Sequence, residues 1–131
     1  MRAIRLLVAV SAFLGTAMPI RTAEIRIVEY DIDGDAKYAN VTWTNKSSST
    51  EQKQLMFPVH ESFLAQVGTL AYVSAQKARV FRDPGLSGRD EMLSDGVHGT
   101  VHVTIRINSK LVGEASSDAP YGIAKASAPV E

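Results

Sequence analysis

The sequence predicts a single antiparallel β-sandwich of about seven strands, preceded by an N-terminal signal segment. Three observations carry that expectation. Val101, Val103, Ile105 and Ile107 alternate strictly with Thr100, His102, Thr104 and Arg106, which is the period of a strand with one dry and one wet face. Similar runs recur along the chain with turn residues between them. No stretch shows a convincing helical stripe. A sheet closed into a small barrel is the alternative. The dry face of the Gly99–Ile107 stretch is wholly β-branched, suited to a pleated surface. Burying each such side chain contributes roughly 1.5–3 kcal/mol.

The chain has 131 residues, with 14 basic and 14 acidic side chains and no cysteine. That length supports one domain with a real core. Balanced charge gives no footprint for nucleic acid or an anionic membrane. Without cysteine there is no disulfide, no lipid-modified thiol and no thiolate metal site. Arg2 and Arg5, the apolar run Leu6–Leu14 and the small residues Gly15-Thr16-Ala17 have the order of an export signal. The apolar run is shorter than the roughly 18–20 residues that span a bilayer. Residues 1–23 are therefore read as a signal peptide or N-terminal anchor, and 24–131 as the sandwich domain. Cleavage after Ala17 removes Arg2 and Arg5, leaving twelve basic against fourteen acidic residues.

Each element follows in order. In Ile25–Ile32 the apolar phase changes between Ile27 and Val28, which predicts a bulge or a change of sheet. Asp33-Gly34 reads as a hairpin turn. Ala39, Val41 and Trp43 form the dry face of a second strand, and Asn45–Glu51 is a polar loop. Gln52–Phe57 is an edge strand or one that ends at Pro58. Val59–Val67 has no decisive period. Leu70–Gln76 is a further strand. Lys77–Gly96 reads as one long irregular stretch, and loops above roughly 12–15 residues are uncommon unless functional or mobile. Asn108-Ser109-Lys110 predicts a tight turn with a returning strand to Ser116. Tyr121–Ser127 supplies the last strand.

Motifs for chemistry are few. Asp31-Ile-Asp-Gly-Asp35 begins like a calcium loop, but Ala36 stands where Gly is needed and Thr42 where a bidentate Glu is needed. His102 falls on the wet face of its strand, and strand residues four apart lie roughly 13 Å apart, too far for His98 and His102 to share an ion. No nucleophile elbow, phosphate loop or telling carboxylate pair is present. No catalytic, metal or cofactor residue is named on these grounds, and a non-enzymatic protein is expected. Tyr72 and Tyr121 lie out of phase with inward neighbours, yet core is the simpler fate for either. Arg79, Val80, Phe81, Arg82 and Arg89 are the candidate partner-binding residues, because interface cores favour Arg, aromatic residues and Met. Met92 and Leu93 follow in the same stretch, and Val80 and Phe81 are expected to pin part of it to the body.

The ordered segments resemble the MmpS family, small mycobacterial-type membrane proteins that accompany lipid-exporting MmpL transporters. The matching stretches are Val28-Glu-Tyr-Asp-Ile-Asp-Gly34, Ala39-Asn-Val-Thr-Trp43, Leu55-Met-Phe-Pro58, Ala71-Tyr-Val-Ser-Ala-Gln76, Gly99–Ile107 and Ala119-Pro-Tyr-Gly-Ile-Ala124. The resemblance implies an extracytoplasmic Ig-like sandwich without a catalytic centre. It further implies an accessory role beside an envelope MmpL/RND-type transporter, with lipid or small-molecule cargo and no nucleic acid. The expected location is the periplasm, cell envelope or extracellular space. The alternative is a stand-alone secreted binding or inhibitor module that uses the 77–96 loop.

Overall fold

The computed structural model describes residues 24–82 and 91–131, the side chain of Arg82 excepted. The strands are β1 (Ile25–Asp33), β2 (Tyr38–Thr44), β3 (Thr50–Met56), β4 (Val59–Gln66), β5 (Leu70–Lys77), β6 (Arg79–Arg82), β7 (Glu91–Asp95), β8 (Val101–Ile107), β9 (Lys110–Ser117) and β10 (Ile123–Pro129). Among the described residues there is no helix. Two four-stranded antiparallel sheets pack on one another, in the orders β4-β1-β8-β9 and β10-β5-β2-β3. A two-stranded ribbon, β6-β7, stands beside them. The sandwich thus holds eight strands rather than about seven, and the ribbon adds two.

The core follows from alternation. Val28, Tyr30, Ile32, Val101, Val103, Ile105 and Ile107 are the inward residues of the first sheet. Ala39, Val41, Trp43, Ala71, Val73 and Ala75 face them from the second. Bulky β-branched side chains on one sheet meet many alanines on the other, which lets the two inner faces interdigitate. Tyr30 crosses that interface. Its hydroxyl pairs with Thr44 Oγ1 at 2.7 Å and accepts from the Tyr72 N–H at 3.1 Å. Burial pushes the Tyr30 phenol above its ordinary pKa, although its hydrogen bonds pull the other way.

Several expectations change. β1 pairs continuously with β4 and β8, with no register shift. The phase change at Ile27 is therefore no bulge: Ile25 and Ile27 stay on the outer face, in water. Asp33-Gly34 joins strands of different sheets rather than a hairpin. Gly34 has φ +137°, and a Cβ there would overlap the Thr100 carbonyl. Val59–Val67 supplies an edge strand. The stretch from Lys77 to Gly96 is not irregular as a whole, because Lys77 ends β5 while β6 and β7 pair within it. Tyr72 and Tyr121 are not core: one is half-buried on an outer face and the other is exposed. The expected turn at Asn108-Ser109 is present, both residues having positive φ (49° and 67°).

The strands give the sandwich two ends. The terminal end carries Glu24, the turns 67–69 and 108–109, and Val130-Glu131, knit by Val67 N–H to Glu24 C=O and Gly68 N–H to Val130 C=O. The hairpin end carries the turns 34–37, 57–58, 96–100 and 118–122 together with β6 and β7.

Candidate partner-binding site

The β6–β7 ribbon has one inward and one outward face. Val80 pairs with Ser94 and both are buried. Ser94 Oγ donates to the Ala36 carbonyl at 3.1 Å, fastening the ribbon to the β1–β2 connection. The register then shifts between Val80 and Phe81, so that Phe81 pairs with Met92. Cross-strand partners share a face, and this pair faces solvent: Phe81 is 55 % and Met92 54 % exposed. Of the residues predicted to bind a partner, Val80 is the pin and Phe81 projects. Arg79 turns aside, its Nη2 donating to the Tyr121 hydroxyl at 3.2 Å. Arg82 is paired with Glu91 along the backbone. Its side chain, and all of Arg89, lie outside the described residues.

Between the ribbon and the sandwich body lies a cleft of about 510 Å³, lined by Asp33, Lys37, Met56, Phe57, Pro58 and Met92 among others. Met56, at the end of β3, is 61 % exposed. A cis Phe57–Pro58 peptide bond sits in the connection to β4. Met56 and Lys37 were not singled out from sequence. The two methionines are adaptable apolar groups that fit irregular partners.

The ribbon's base is held by charge. Lys77 is 1 % exposed, and its ammonium donates to the carbonyls of Val97 (2.9 Å), Gly99 (2.8 Å) and Asp118 (3.0 Å). Three donors meet three acceptors, so the buried cation is satisfied. Asp95 Oδ1 accepts from the backbone N–H groups of Val97 (2.8 Å) and His98 (2.9 Å). The His98 N–H, above all, holds the Asp95 carboxyl far below the usual carboxylate range. Asp35 takes the Thr100 N–H and hydroxyl, the N–H being the main cause of its lowered pKa. Of the calcium-like run 31–35, Asp35 thus serves a turn.

The middle of the outer face of β4-β1-β8-β9 is ionic. Asp31 accepts from Arg106 Nη1 at 2.8 Å and meets His60 Nδ1 at 2.7 Å. That bond to Asp31 chiefly raises the His60 pKa. On β8, His102 Nδ1 lies 2.5 Å from Ser116 Oγ, and its Nε2 lies 3.6 Å from Glu114. The three residue types match a catalytic triad. Their setting is an open sheet face with Ser116 and Glu114 exposed to water, where such a pair is strongly screened. Among the described residues, no group of three or more His, Asp or Glu side chains is placed to hold a metal ion. No protein-family model and no curated protein matches this chain.

Proposed function

We propose that the chain is an exported, non-enzymatic accessory protein with an Ig-like sandwich of the MmpS kind. In this reading it assists an envelope MmpL/RND-type transporter in exporting lipid or small-molecule cargo. The family part of the proposal rests on the ordered sequence segments. The binding part rests on one observation: the solvent-facing Phe81–Met92 pair beside the Met56 cleft, on a ribbon whose base is fixed by Ser94 and Lys77. An element fastened at its base that leaves an aromatic and a methionine in water has the composition of an interface core. Holding it in one geometry beforehand lowers the cost of binding.

The same ribbon suits a stand-alone secreted binding or inhibitor module, since its fixed geometry needs no transporter. Crosslinking and pull-down from native envelope separates the two. Recovery of a multispanning transporter supports the first reading, and recovery of a soluble protein the second. Phe81→Ala should weaken capture by about 1–2 kcal/mol, as at a hot spot. Undiminished capture by Phe81→Ala and Met92→Ala would remove the ribbon as the docking element.

A further inference from the structure

The two sheets close on each other along β9 and β10 and part along their other margins, β3 and β4. The register places charge at the mouth of that opening. Glu51 on β3 pairs with Trp43, and Glu61 on β4 pairs with Tyr30. Cross-strand partners share a face, so both carboxylates take inward positions that an apolar residue would ordinarily fill. Between them lies a hollow of about 240 Å³, walled by Trp43, Phe63, Lys46 and the two glutamates among others. The Tyr30 ring, 5.4 Å away, holds Phe63 in place. Trp43 is 5 % exposed, so nearly all of it is fixed in the core. Among the described residues its indole N–H has no acceptor, and the one unpartnered side-chain polar atom sealed from solvent is Thr104 Oγ1. The indole donor therefore reaches solvent, and does so in the hollow that Trp43 lines. Neither Glu51 nor Glu61 has an ion-pair or hydrogen-bonding partner for its carboxylate among the described residues.

We propose that this hollow binds a small organic ammonium ion that carries a hydroxyl beside its nitrogen, as an amino sugar or an amino alcohol does. Each wall group asks for one part of such a ligand. Two unpaired carboxylates against the single Lys46 leave the wall with a net negative charge, which selects a cation. Aromatic faces accept both the cation and the carbon that carries it. The chain's own Lys53 follows that preference, its ammonium standing 6.0 Å over the Trp43 ring. A buried donor without an acceptor asks for an oxygen, which a bare alkylammonium lacks and a hydroxylated one brings. Pockets for drug-sized ligands begin at about 300 Å³, so this hollow suits one ring or a short chain. Inward-pointing charges also keep edge strands from pairing with other chains, but that task makes no use of the Trp43 N–H. The hollow shares no wall residue with the cleft beside the ribbon, and the proposal does not rest on the partner reading above.

Trp43 is the only tryptophan in the chain, so the single indole cross-peak in a proton–nitrogen NMR spectrum of the whole protein reads this donor directly. The probes are glucosamine and ethanolamine, at a pH where both amines are protonated. The controls are N-acetylglucosamine, which lacks the charge, and tetramethylammonium, which lacks the hydroxyl. The expected result is a saturable shift of the indole cross-peak with glucosamine or ethanolamine in the millimolar range, and none with the controls. A response to glucosamine alone identifies an amino sugar as the ligand class, and a response to ethanolamine an amino alcohol. Glu51→Gln and Glu61→Gln should each weaken that binding about fivefold and leave the melting temperature unchanged, since both side chains reach solvent. An equal shift with either control would overturn the proposal, as would no saturable shift with any probe. Binding undiminished in the double variant would overturn it too, and would assign the two carboxylates to edge protection alone.

Discussion

At the hairpin end, Lys77, Asp35 and Asp95 aim their charges at backbone groups of the 96–100 turn, and Ser94 locks the ribbon to Ala36. At the terminal end the closing bonds are mostly backbone to backbone, through residues 24, 67, 68 and 130, and aliphatic side chains stay in water. One end uses its polar side chains to fix geometry. The other leaves apolar area uncovered that its own fold does not need. The difference teaches which side chains the fold depends on: loss of a buried polar group should unfold, and loss of an exposed aliphatic one should not.

The largest effect should come from Lys77→Met. It leaves three carbonyls at the base of the ribbon without their donor, at a cost of about 3 kcal/mol or more. Urea unfolding measures it, and an unchanged midpoint would contradict the clamp. Tyr30→Phe comes next, with a loss of about 1 kcal/mol: the cross-sheet hydroxyl link goes, while the Tyr72 N–H keeps Thr44 Oγ1 and Thr44 keeps the Leu70 carbonyl. Ile27→Asn and Leu64→Asn should each change stability by less than about 0.5 kcal/mol; a large loss would make the terminal end part of the fold's own core. Acid should sharpen the contrast. Asp35 and Asp95 have pKa values lowered from 3.8 by folding. Their contribution is complete above that value and is lost as pH falls through the lowered ones. The 96–100 turn should therefore loosen below about pH 4, ahead of the terminal end, as amide exchange by NMR would register. His60 has the opposite sign: its pKa is raised from 6.5, so its stabilisation is full below 6.5 and fades as pH rises through the raised value. The smallest effect is chemical. Ser116 should resist a fluorophosphonate probe, and stoichiometric labelling would end the non-enzymatic reading.

What the sequence showed depended on whether the alternation was clean. Val101–Ile107 and Ala39–Trp43 were legible because each is a central strand with one buried face. The ribbon was not, because its strands are short and the register shift after Val80 breaks the period. Lys77 was within reach. Ala71, Val73 and Ala75 set an inward phase that lands on Lys77 one step further, but a charge at that position read as the start of a loop. Ile25 and Ile27 misled in the other direction, since their outward phase reads as a bulge or a change of sheet rather than as an outward-facing pair on a regular strand. Of the site, Phe81 and Met92 were visible by residue type, and their pairing was not. Met56 was hidden because its contribution is spatial, across the cleft from Met92.

Tyr30 joins the two sheets through its phenol, the kind of cross-sheet link that antibody domains make with a disulfide. A phenol link forms as the core closes and asks for no oxidant, no isomerase and no correct pairing among thiols. The chain can therefore reach its native state in a reducing or an oxidising medium alike, and dithiothreitol or peroxide should leave this join untouched. Its weak point is packing instead. The hydroxyl reaches Thr44 and Tyr72 only while the Tyr30 ring is held, tilted at 59° and 5.4 Å from Phe63, so this link is governed by how well the neighbouring side chains fill space and not by redox potential.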